Sequence, residues 1–127
     1  MKQVIALFGE SEKGQFKTPY FLKEISQLMD LLGNPPEESL GLFFAIQALL
    51  FQRELIFFRV EEEGFSFPDY VLGLRYLEEN RTDKLQAICM PGVGDPEIID
   101  FSQNALQIHN SFLITNEKDF YDYLSSV

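Results

Sequence analysis

The sequence predicts a single α/β domain spanning residues 1–127, built on a mainly parallel, doubly wound sheet of about four to five strands flanked by helices. Three observations predict it. Val4-Ile5-Ala6-Leu7-Phe8 and Leu55-Ile56-Phe57-Phe58-Arg59-Val60 are near-continuous apolar runs, the pattern of strands buried on both faces. The segments between such runs are long enough for helices and carry helix-ending glycines and capping residues. A length of 127 residues supplies one hydrophobic core but not two.

Val4 to Phe8, closed by Gly9, is expected at the sheet centre, followed by a polar loop from Glu10 to Lys17. Pro19 to Leu22 reads as a short extended segment, and Glu24 to Leu32 as a helix stopped by Gly33, with Ile25, Leu28, Met29 and Leu32 facing inward. Asn34-Pro35-Pro36 makes a turn, after which Glu37 and Glu38 suit the positive end of a helix running to about Phe51. That helix has almost no polar face, which predicts cover on more than one side. After the second strand, Glu61-Glu62-Glu63 reads as a solvated strand end and Phe65 to Pro68 as a connector. Asp69 is the expected N-cap of a helix through Glu79 that turns Tyr70, Leu74 and Leu77 inward. A polar turn over 80–84 leads to a strand from Leu85 to Met90. Asp95 then caps a helix with Pro96 in its first position, Ser111 to Thr115 forms another strand, and Asn116 caps a last helix ending near Leu124.

Composition excludes several functions. Twenty acidic against ten basic side chains give a net charge of −10, which repels nucleic acid and anionic membrane surfaces. The one cysteine, Cys89, cannot form an internal disulfide, and the apolar start is too short for a signal or membrane segment, so a reducing cytoplasm is expected. Thirteen Phe and no Trp point to core packing.

No catalytic set emerges, and the chain is not expected to be an enzyme or to carry a cofactor. Gly9-Glu10-Ser11-Glu12-Lys13-Gly14 has the glycine spacing of a phosphate-cradling loop, but Gln15 and Phe16 stand where such a loop needs Lys and Ser or Thr. Lys17-Thr18 come two residues late. Gly92, Gly94 and Asp95 lie at a strand's carboxyl end, where open α/β sheets place ligands, yet Asp95 also suits the cap of the next helix. Gly9, Lys13, Gly14, Gly92, Gly94 and Asp95 therefore form the alternative reading, a Rossmann-like nucleotide or small-ligand site. Cys89 sits in an apolar strand, His109 is the lone histidine, no Cys/His pair has metal spacing, and no serine lies in a GxSxG elbow.

Taken in order, the segments resemble the core domain of contractile tail sheath proteins, the tube-forming subunits of phage tails and related injection systems. Val4-Ile-Ala-Leu-Phe-Gly-Glu-Ser-Glu-Lys-Gly14 resembles that family's first strand and glycine-bounded loop, and Pro19 to Gly33 its proline, short strand, helix and glycine. Leu42 to Phe51 and Leu55 to Val60 resemble its amphipathic helix ending in Phe and its strand ending in Arg-Val. Asp69 to Glu78, Leu85 to Gly92 with Asp95-Pro96, and Phe112-Leu-Ile-Thr resemble the elements that follow. Gln52-Arg53-Glu54 departs from the family's Asn-Gly-Gly turn. The resemblance covers nearly the whole chain but not the family's terminal arms, so a minimal or truncated sheath core is expected. It implies a structural role in the cytoplasm or in a virion, with copies of itself or other tail, sheath or tube proteins as partners. Arg53, Arg59, Glu61, Glu62 and Glu63 are the candidate contact charges.

Overall fold

The computed structural model of the chain describes residues 3–80 and 84–126. Its strands are β1 (Val4–Gly9), β2 (Pro19–Leu22), β3 (Glu54–Arg59), β4 (Leu85–Cys89) and β5 (Phe112–Ile114). Its helices are α1 (Ile25–Leu32), α2 (Gly41–Leu50), α3 (Phe67–Glu79), α4 (Pro96–His109) and α5 (Glu117–Ser125). The strands form one sheet in the order β2-β3-β1-β4-β5. All pairings are parallel except β2 with β3. The chain is the expected α/β domain with a mainly parallel sheet and helices on both faces.

Alternation along β1 explains why its whole length is apolar: every residue is buried, and successive side chains enter different cores. Ile5 and Leu7 join Leu55, Phe57 and the inner faces of α1, α2 and α5. Val4, Ala6 and Phe8 join Ile56, Phe58 and the inner faces of α3 and α4. Phe44 of α2 stacks on Phe120 of α5 with ring centroids 4.2 Å apart, and Phe8 stacks on Phe58 and Tyr70. These contacts make Phe8, Phe44, Phe58 and Phe120 packing groups, whereas six of the thirteen phenylalanines, Phe16, Phe21, Phe43, Phe51, Phe65 and Phe112, are exposed, which corrects the expectation of core packing for them.

β2 runs antiparallel because no helix precedes it. Phe16 bridges Arg59 in the parallel sense, the chain reverses at Lys17, whose φ is 61°, and Pro19 then pairs with Phe58 in the opposite sense. On the other flank, His109 is buried between three elements. Its Nε2–H donates to the Leu77 carbonyl at 2.7 Å while Nδ1 accepts from the Leu85 amide at 3.4 Å, which ties α4 to α3 and β4.

Several local expectations are corrected. α2 begins at Gly41, so Glu37 and Glu38 lie in the preceding turn, and its N-terminus is served by a carboxylate from elsewhere. α3 begins at Phe67, so Phe67 and Pro68 are helical and Asp69 is in the first turn, where its carboxylate accepts from the Glu61 amide at 2.9 Å. Met29 is 38% exposed on the outer side of α1, whereas Leu28 and Leu32 are buried. Asp95 and Asn116 cap α4 and α5 as expected, accepting from Glu97 and Asp119 amides at 2.9 Å each. The turn expected over 80–84 lies largely outside the described residues. Among the described residues, no helix is long and apolar enough to cross a membrane.

Candidate functional site: the carboxyl edge of the sheet and its flank

Doubly wound sheets place ligands at the carboxyl ends of strands, where successive crossovers leave in opposite directions. Here that point falls between β1 and β4, which are paired neighbours. The loops holding Gly9–Gly14 and Gly92–Asp95 therefore leave the same edge of the sheet, but a third segment intervenes. The β3–α3 connection passes over the end of β1 and reaches the β4–α4 loop. A Cβ on Gly64 would stand 2.6 Å from the Gly92 carbonyl oxygen, so only glycine permits this crossing. The Gly64 amide donates to the buried Tyr70 hydroxyl at 2.7 Å, fixing the crossing to α3.

Within that segment, Glu63 turns inward. Its carboxylate accepts from the Leu40 amide at 2.9 Å, the Gly41 amide at 3.0 Å and the Glu10 amide at 2.8 Å, and Glu10 reciprocates by accepting from the Glu63 amide at 2.9 Å. Glu63 is thus an internal anion at the N-terminus of α2, in the position where a ligand phosphate would meet amides and helix dipole. The reading of Glu63 as part of a solvated strand end is corrected: its acceptors are needed inside, because the first amides of α2 have no other partner.

Burial pushes the Glu63 carboxyl above its ordinary range, partly offset by the three amides and reinforced by the nearby Glu10 carboxylate. For an acid with a raised folded value, its stabilising contribution is complete below the ordinary value and declines as pH rises through the higher one. Glu63→Gln cannot ionise and lacks that decline. The wild-type advantage in Tm over Glu63→Gln is therefore expected to be largest at pH below the ordinary carboxyl range and to shrink as pH rises above it, as followed by thermal melts.

The glycine loop faces away from phosphate chemistry. Ser11 and Gly14 direct carbonyl oxygens, not amides, at the Arg59 guanidinium, which also lies over the Phe16 ring at 4.3 Å. Lys13 is exposed and its amide donates to the Leu32 carbonyl at 3.1 Å. Asp95 is engaged as a cap, and Gly94 is open to solvent with no neighbour within 4 Å of its would-be Cβ.

The contact charges divide. Arg53 is 6% exposed and donates to the Tyr123 hydroxyl at 3.2 Å and the Phe51 carbonyl at 2.9 Å. Arg53, Arg59 and Glu63 are therefore internal struts rather than free surface charges. Glu61 and Glu62 are exposed. Burial pushes the Cys89 thiol far up, so it is an inert core group, and no cluster of three metal-ligating side chains occurs among the described residues.

Two surface features escaped the sequence reading. The outer side of α2 is open: Phe43 is 42% and Leu50 59% exposed, with Phe51 beyond the helix end, and α2 contains no charged residue. The sheet, α1 and α5 supply the predicted cover on more than one side, burying six of the ten α2 residues, but among the described residues nothing covers Phe43 and Leu50. The near-absence of polar residues in 41–50 was the signal, read as internal burial. The second feature is a pocket of about 270 Å³ between β3 and α3, with Phe58, Leu72, Gly73 and Tyr76 in its wall and Lys17, Arg59 and Arg75 at its edge. Its residues are scattered in sequence, so no local signal marked it. No known protein family, no curated protein and no solved structure matches the chain significantly.

Proposed function

We propose that this domain is a structural assembly module resembling the core of a contractile tail sheath protein, working through contacts with copies of itself or with tail, sheath or tube proteins, in the cytoplasm or within an assembled particle. The observation that carries the reading is the uncharged outer face of α2. A chain with twice as many acidic as basic side chains keeps a ten-residue surface helix free of charge, with Phe43 and Leu50 open to solvent. Contiguous exposed apolar surface of that kind marks protein contact sites. The ordered resemblance of the segments to sheath elements adds the class of partner.

The alternative, a nucleotide or small-ligand site at the carboxyl edge, requires Glu63 to withdraw from three amides before a phosphate can reach them. The closed edge supports assembly over ligand binding. Phe43→Glu and Leu50→Glu place charge on the α2 face without entering the core. Each is expected to weaken self-association or tail-component binding by at least about tenfold in sedimentation, while circular dichroism stays that of the wild type. Unchanged association in both variants would remove α2 from the contact.

A further inference from the structure

Phe65 is the most exposed large apolar side chain among the described residues, at 69%, and the exposed carboxylates Glu61 and Glu62 precede it on the same turn. The turn is fixed. The Phe65 and Ser66 amides donate to the Glu62 carbonyl at 3.1 and 3.2 Å, and Gly64 is held to Tyr70. An aromatic ring is therefore presented to solvent on a rigid backbone, beside two negative charges.

The pocket between β3 and α3 has the complementary character. Phe58 and Tyr76 meet edge to face with centroids 5.8 Å apart, and Leu72 beside them is 41% exposed. Its volume of about 270 Å³ is just under the ~300 Å³ at which small-molecule sites begin, a size suited to one anchoring side chain and its flanks. Lys17, Arg59 and Arg75 border it, three of the ten basic residues in the chain. Among the described residues, no carboxylate lies within ion-pair distance of any of the three, although the chain has twenty. Asp69 and Glu79 also line the pocket, and the Asp69 carboxylate is engaged with the Glu61 amide.

We infer that the Glu61–Phe65 turn of one copy docks into the Phe58–Leu72–Tyr76 pocket of a second copy, with Phe65 as the buried anchor and Glu61 and Glu62 against Lys17 and Arg75. The inference rests on the assembly reading and adds to the α2 face a second contact between copies. A central aromatic anchor in a pocket is where interfaces concentrate their energy. The repulsion between two chains of net charge −10 is screened beyond about 8 Å at physiological salt, so local complementarity decides the encounter. Each copy carries both knob and pocket, so the contact either closes pairs or propagates.

The test replaces Phe65 with the photo-crosslinker para-benzoylphenylalanine and mixes that chain with isotope-labelled wild type, so that a crosslink between copies is told from one within a copy. A crosslink from position 65 of one chain to the 72–76 segment of the labelled chain is expected. Its yield should fall at least ~5-fold when the labelled chain carries Leu72→Glu or Arg75→Glu. These three residues are exposed, and melts by circular dichroism confirm folding. Crosslinks that map elsewhere, or none in a protein that sediments as an associating species, overturn this contact and leave the assembly reading standing. A protein that sediments as a monomer at every concentration overturns this contact, and one that in addition binds no tail component overturns the assembly reading as well.

Discussion

Gly41→Ala is expected to lower stability by about 3–5 kcal/mol, although alanine is the better helix former by about 1 kcal/mol. A Cβ at Gly41 would stand 2.5 Å from the Gly9 Cα and 2.9 Å from a Glu63 carboxylate oxygen. Both neighbours of the new methyl are fixed: one is backbone in the central strand, the other an acceptor bound to three amides. Relief requires α2 to move off β1, which withdraws the Leu40 and Gly41 amides from Glu63 and adds about 1–3 kcal/mol for buried donors left unpaired. At roughly 4 °C per kcal/mol for a domain of this size, the melting temperature should fall by about 12–20 °C. Gly9→Ala creates the same 2.5 Å clash from the opposite side and should behave alike. A gain in stability in thermal melts would mean that α2 does not approach β1 as described.

Arg53→Ala is the second large effect, expected at about 3 kcal/mol in chemical denaturation. The guanidinium is buried with neutral acceptors, the Tyr123 hydroxyl and the Phe51 carbonyl, and lies 5.0 Å from the centre of the Tyr123 ring. Tyr123 passes the chain of bonds on, donating to the Gln86 side chain of β4, and burial pushes its hydroxyl up so that it keeps that proton. One arginine therefore joins the α2–β3 turn to α5 and β4. Arg53→Lys should recover little, because an ammonium cannot reproduce the planar fork that reaches both acceptors. Arg53→Met keeps the apolar stem and removes the buried charge, so its loss should be about 1 kcal/mol smaller than that of alanine. Equal stability of all three variants would contradict this strut.

The sequence displayed the sheet clearly because a central parallel strand must be apolar on both faces, and Val4–Phe8 and Leu55–Val60 show that without alternation. Caps are equally local: Asp95 with Pro96 and Asn116 before α5 declare themselves within four residues. What stayed hidden depends on distant partners. Glu37 and Glu38 stand nearer the start of α2 in sequence, but Glu63 serves it from 22 residues away. Glu61, Glu62 and Glu63 look alike as a run, yet the third is turned inward because the Gly64 crossing aims it at the α2 amides. Arg53 sits in a polar turn whose hydrogen-bond partner is 70 residues further on. The α2 outer face shows the reverse problem. Its apolar composition was visible, but composition alone does not say whether a surface is covered by the same chain or awaits another.

The proposed role is assembly through exposed surfaces, with the carboxyl edge of the sheet closed by Glu63. Sedimentation velocity of the wild-type chain at rising concentration and physiological salt, alone and with isolated tail tube or sheath material, tests that most directly. The expected result is a sedimentation coefficient that increases with concentration, or co-sedimentation with the tail component. A strictly monomeric particle at every concentration that binds no tail component would contradict it.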